Sequence, residues 1–160
     1  MFTNLFPGVQ HLQNIHPMFV HFPIAFFAGA ALFYLLAWVL RKDSLAITAF
    51  WLLILGAISA AATVATGLYA EEGVMIARSV RAQLLDHHED LMITTLCLGA
   101  GLAIWAVVAR PFPRKGRLLF MLVFLALLVV MSLGADYGAR MVYDYNAGGN
   151  ACSQPIDFTK

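Results

Sequence analysis

Leu118-Leu119-Phe120-Met121-Leu122-Val123-Phe124-Leu125-Ala126-Leu127-Leu128-Val129-Val130-Met131-Ser132-Leu133-Gly134-Ala135 is an apolar run without one charged side chain, closed by Arg117 before it and Asp136 after it. Its apolar residues are continuous rather than alternating, which is the pattern of a helix crossing hydrocarbon and not of a barrel strand. Three further stretches read the same way. No Asp, Glu, Lys or Arg precedes Arg41, and none occurs from Ser44 to Ala70 or from Leu91 to Ala109. Each is close to the ~20 residues that span a bilayer core as helix. Backbone groups in lipid must be satisfied within the segment, so helices are the solution.

Composition agrees. The 160 residues are 61% hydrophobic and 12% charged, with mean hydropathy +0.79. A soluble domain of this size could not bury so much apolar surface. Disordered, collagen-like and disulfide-scaffold classes are excluded, and the net charge of +1 excludes a strongly basic nucleic-acid binder. The expected architecture is an all-α integral membrane four-helix bundle. Residues 1–145 form the transmembrane domain, with helices about 17–40, 45–69, 88–109 and 117–142. Residues 146–160 form an extramembrane tail.

Charge placement sets the expected orientation. Arg41 and Lys42 with Asp43 join the first two helices, and Arg110, Arg114, Lys115 and Arg117 join the last two. The other side carries Arg78, Arg81, Arg140 and Lys160 against Glu71, Glu72, Asp86, Glu89, Asp90, Asp136, Asp144 and Asp157. The positive-inside rule puts the two short basic loops in the cytoplasm and both termini outside, in the bacterial inner membrane. With no basic segment before the first apolar run and no small-residue cleavage site, helix 1 is expected to be retained. Residues 72–85 place Met75, Ile76, Val80, Leu84 and Leu85 at helical spacing around Arg78 and Arg81, the pattern of a short amphipathic helix lying on the membrane. Cys97, midway along helix 3, and Cys152, in the tail, are not expected to pair.

All five histidines, His11, His16, His21, His87 and His88, fall on the outer side. Counted at about 1.5 Å per residue from the first basic residue of each loop, His21 (20 residues from Arg41), His88 (22 from Arg110) and Arg140 (23 from Arg117) lie within roughly 5 Å in depth. His16 and His87 sit slightly further out. Two imidazoles at matched depth on different helices, with arginine close by, suit axial ligation of one haem b, its propionates held by Arg81 and Arg140. His21 and His88 are the expected ligands, His16 and His87 their substitutes. Ala25, Ala28 and Gly29 on helix 1, Gly99 on helix 3 and the stripe Gly56, Ser59, Ala60, Thr63, Gly67 on helix 2 leave room for a flat macrocycle. Pro23 removes the partner of the Phe19 carbonyl and loosens the helix beside His21.

Plainer readings stand beside this one. Boundary histidines bind water and headgroups, small residues pack helices, and outer arginines anchor phospholipid. His87-His88-Glu89 with His16 or His21 suits copper or zinc, although neighbours on a helix point about 100° apart. His21, Asp86 or Asp136 could exchange protons with a quinone.

The segment Ile15-His16-Pro17-Met18-Phe19-Val20-His21-Phe22-Pro23-Ile24-Ala25 resembles the opening motif of the bacterial membrane family called domain of unknown function 2231. The likeness continues through Ala65-Thr66-Gly67-Leu68, His88-Glu89 and Gly138-Ala139-Arg140-Met141-Val142-Tyr143. It implies a four-helix membrane domain, often fused to or encoded beside c-type cytochromes or other redox proteins. Tyr145-Asn146 stands where the family commonly carries a His-Gly pair, and Gly138-Ala139 replaces a Gly-Gly pair. The expected function is that of a b-type cytochrome-like subunit, at most the electron-transfer part of an oxidoreductase complex. It would carry electrons between membrane quinone and an outer redox protein such as a c-type cytochrome, beside other membrane subunits. The alternatives are a non-catalytic anchor or assembly subunit, and a metal-handling protein.

Overall fold

The computed structural model describes residues 15–71 and 81–145. A short helix α1 (His16–Phe19) leads into α2 (His21–Leu40), followed by α3 (Asp43–Glu71). A single π-helical turn, Arg81–Leu85, then runs into α4 (Asp86–Ala109), and α5 (Arg117–Tyr145) ends the described chain. Four helical spans, His16–Leu40, Asp43–Glu71, Arg81–Ala109 and Arg117–Tyr145, are long and apolar enough to cross a membrane, and no strand occurs among the described residues. The third span begins earlier than the charge pattern suggested. Leu84 and Leu85 are buried against Met141 and Tyr137 of α5, so this part of the expected amphipathic helix is packed into the bundle rather than laid on the membrane. The rest of it, 72–80, lies outside the described residues, as do His11, Cys152 and the tail.

α2 packs on α3, α3 on α4 and α4 on α5, and α5 closes back on α2. The outside of this ring is apolar, as a lipid-facing surface must be: Val39, Ile104 and Val108 are among its most exposed side chains. With no water to drive apolar association, close approach decides the contacts. Phe27, fully buried, is their centre. A Cβ at Gly56 of α3 would fall 2.7 Å from its ring and one at Gly99 of α4 only 2.5 Å, while Phe124 of α5 meets it edge to face at 6.5 Å between centroids. Toward the loop-bearing end, Tyr34, Phe112, Phe120 and Phe124 continue the aromatic core. The Tyr34 hydroxyl donates to the Pro111 carbonyl at 2.9 Å, tying the connection between α4 and α5 under the bundle.

The first span is broken beside its proline. Pro23 has no N–H for the Phe19 carbonyl, and the α-helix is interrupted at Val20. The Thr63 hydroxyl of α3 takes over, its distances being 3.1 Å to the Phe19 carbonyl and 2.8 Å to its own Ser59 carbonyl. α1 is thereby held against α3.

Candidate functional site

At the end of the bundle away from the two short connections, His16 and His88 come together. Their ring centroids are 6.5 Å apart and their planes stand at 88°. His16 Nδ1 lies 3.1 Å from the Thr63 carbonyl and 3.3 Å from Thr66 Oγ1. His88 Nδ1 lies 2.7 Å from the Gly134 carbonyl. A carbonyl only accepts, so each Nδ1 carries the proton and each Nε2 the lone pair. This is the arrangement found behind most metal-ligating histidines, whose second nitrogen is fixed by a backbone oxygen.

A glycine lies behind each ring. A Cβ at Gly67 would fall 3.0 Å from His16 Cε1, and one at Gly138 3.0 Å from His88 Cε1. Both glycines stand four residues after the carbonyl that holds the same histidine. In an α-helix each Cα–Cβ bond leans toward the N-terminus, so a side chain at i+4 shields the carbonyl at i from the flank. Glycine there uncovers it. The two halves of the site are therefore built alike: His16 on Thr63 and Gly67, His88 on Gly134 and Gly138. His16 precedes its carbonyl partner by 47 positions and His88 precedes its own by 46.

The other expected residues are placed differently. His21 is exposed. Five helical residues turn the side chain by about 140°, so His16 and His21 cannot share a face. The buried stripe of α2, Pro23, Phe27, Ala30, Tyr34 and Ala37, extrapolates back by seven residues to His16. Depth favoured His21; azimuth favours His16. Contacts with α3 hold His16 there: the Thr63 carbonyl and the Thr66 hydroxyl on its Nδ1, and the Thr63 hydroxyl on the Phe19 carbonyl. His87 is exposed and stacks on Tyr137 at 5.6 Å between centroids. Arg81 is engaged with Glu71, and Arg140 lies 3.7 Å from Asp144 one turn on.

Thr63, Thr66, Gly67, Gly134 and Gly138 were not expected as site residues. Thr63 and Gly67 read as part of a stripe leaving room for a macrocycle, or packing helices, and not as the seat of a histidine, although a glycine four positions after a carbonyl facing a histidine is a pattern visible in a sequence once the faces are assigned.

The donor set fits a haem. A metal midway between two imidazoles, about 2 Å from each nitrogen, places ring centroids about 6 Å apart. Among the described residues no group of three or more His, Cys, Asp or Glu gathers around one point. A porphyrin brings four nitrogens of its own and asks the protein for two axial ligands, whereas bare copper or zinc asks for more.

The four segments that carry the family likeness meet here: the opening motif brings His16, the second Thr66 and Gly67, the third His88 and the last Gly138. No match to a curated protein or to a solved structure is found. The family model described as Predicted membrane protein (DUF2231) matches residues 12–151, and the chain belongs to that family.

Proposed function

We propose that this chain is a b-type cytochrome-like subunit of a larger complex in the bacterial inner membrane, with both termini on the outer side. It passes electrons between the quinone pool and an outer redox protein such as a c-type cytochrome. One observation carries the reading: two imidazoles from different spans, each oriented by a backbone carbonyl and seated on a glycine, stand 6.5 Å apart at one end of the bundle. Haem b held there supplies a one-electron carrier. His16 and His88 would hold it. Thr63, Thr66 and Gly134 fix their tautomers, and Gly67 and Gly138 set their approach. Among the described residues, Arg81 and Arg140 are the cations on that side and would pair with propionates. The site lies opposite the basic connections, so the exchange of electrons belongs to the acidic, outer end.

The test is the absorption spectrum of protein expressed with ample haem and purified in mild detergent. A Soret band, with sharpened visible bands on reduction, is expected. It should disappear in His16→Ala and in His88→Ala and persist in His21→Ala and His87→Ala. A colourless wild-type protein overturns the proposal. Stoichiometric copper or zinc in place of haem would instead mark a metal-handling protein. A complex that assembles and works with either ligand removed would mark an anchor subunit.

A further inference from the structure

The opposite end of the bundle holds the second concentration of unused chemistry. Pro111 is half-buried and Phe112 and Pro113 are buried, because this segment folds back under the helices. The Pro111 carbonyl accepts from Tyr34, and the Phe112 ring lies between Tyr34 at 4.8 Å and Phe120 at 5.7 Å. The apolar residues of the connection are thus spent on the bundle, and its cations are left outward: Arg110, Arg114 and Lys115 are exposed. Arg117 is held differently. Its guanidinium carbon sits 4.6 Å over the Phe112 ring, and its Nε is buried with no hydrogen-bond partner among the described residues. Arg41 and Lys42 end the neighbouring hairpin on the same side, both exposed.

Six cations and one carboxylate, Asp43, occupy this end. The ion pairs among the described residues, Arg81–Glu71 and Arg140–Asp144, are both at the other end. Four spans ending at this level put phospholipid headgroups against the cluster. The surface charge is positive, the scaffold under it is fixed by Phe112, and the planar guanidinium forks match phosphate oxygens.

We propose that the connection Arg110–Arg117, with Arg41 and Lys42, is a binding site for anionic phospholipid of the adjoining leaflet, and that Arg117, fixed on Phe112, is its anchor. The site takes the phosphodiester of a lipid such as phosphatidylglycerol, held in place by its acyl chains against the bundle. This assignment is independent of the histidine pair and of any haem.

Native mass spectrometry of the intact chain, released from mild detergent after titration with phosphatidylglycerol or phosphatidylcholine, tests it. Wild type should retain phosphatidylglycerol over phosphatidylcholine. Each cation near a lipid surface is worth about fivefold in affinity, so R114Q/K115Q/R117Q should weaken retention by about a hundredfold. D90N, a charge change at an exposed position of the other end, should leave it unchanged. If the triple variant does not fold, R114Q/K115Q keeps the Phe112 stack and should lose about twenty-five-fold. Equal retention of the two lipids, or retention of phosphatidylglycerol by the charge variants as by wild type, overturns the proposal. So does full displacement by excess glycerol phosphate, which would make the ligand a free anion. Binding of an acidic polypeptide in preference to the lipid would also overturn it.

Discussion

Replacing Gly138 by alanine perturbs one histidine and almost nothing else. The new Cβ would stand 3.0 Å from His88 Cε1 and 3.2 Å from Nδ1, against the ~3.5–4.0 Å at which carbon atoms rest. The ring must retreat by several tenths of an ångström, and the retreat draws Nδ1 off the Gly134 carbonyl, now 2.7 Å away. Hydrogen bonds between membrane helices are worth about 0.6 kcal/mol on average and up to about 1.7. Alanine gains about 1 kcal/mol over glycine in helix propensity, and mild overpacking costs about as much. The fold should therefore melt within about 1 kcal/mol of wild type. Ligation should not be so forgiving: disturbing the hydrogen bond behind a metal-bound histidine lowers affinity by about 10–100-fold. Haem titration in detergent, followed in the Soret band, reads this loss. Nitrogen-15 spectra of the imidazoles in haem-free protein read its cause, as a move of the His88 proton from Nδ1 toward Nε2. Gly101→Ala is the control, since nothing lies within 4 Å of a Cβ there. The reasoning is refuted if Gly138→Ala leaves the His88 tautomer unchanged, or binds haem within twofold of wild type.

Gly99→Ala tests the centre of the bundle. Its Cβ would fall 2.5 Å from Phe27 Cζ, and Phe27 has Gly56 behind it, so a loss of about 1–3 kcal/mol is expected in detergent unfolding and an unchanged midpoint would contradict the packing. Thr63→Val removes the hydroxyl that holds the Phe19 carbonyl but keeps the carbonyl that holds His16. It should cost about 0.6–1.7 kcal/mol and increase hydrogen exchange around Val20, and no change in exchange there would show that α1 is held by other means. The His16 and His88 ring planes stand at 88°, and a ferric haem held by them at that angle would have nearly degenerate iron π orbitals. Its electron paramagnetic resonance should be the strongly anisotropic, large-g low-spin type, and a well-resolved rhombic spectrum would mean the rings do not keep this angle.

The helices and the end of the bundle that holds the histidines could be read from the sequence because lipid punishes misplaced charge. Arg41, Arg110 and Arg117 mark where spans turn, and counting from them brought His21 and His88 to one level, with His16 and His87 slightly further out. Depth alone could not choose among them. The choice is one of azimuth, and the α2 stripe Pro23, Phe27, Ala30, Tyr34 already pointed to His16 by a seven-residue step, just as Gly99, eleven residues on, pointed to His88. Pro23 announced the interruption at Val20, but the Thr63 hydroxyl that answers it and the π turn at Arg81–Leu85 were hidden because they depend on contacts with other spans, Met141 with Tyr137 for the latter. In the connection between the last two spans only the cations could be read, and Pro111-Phe112-Pro113 between them is wedged under Tyr34.

The two histidine seats also share a spacing that residue identity conceals. His16 and His88 lie 72 positions apart, and Thr63 with Gly67 stand 71 positions before Gly134 with Gly138. The chain thus uses one helical hairpin twice: a histidine near the start of the outgoing helix, and on the returning helix a carbonyl uncovered by the glycine four residues later. Little else in the hairpins matches, since Phe27 of the first corresponds to Gly99 of the second and the large ring of one fills the gap left by the other. The bundle core is asymmetric where packing demands it. The seats stay alike in what they do: each fixes one imidazole through its Nδ1, His16 on the Thr63 carbonyl and His88 on the Gly134 carbonyl.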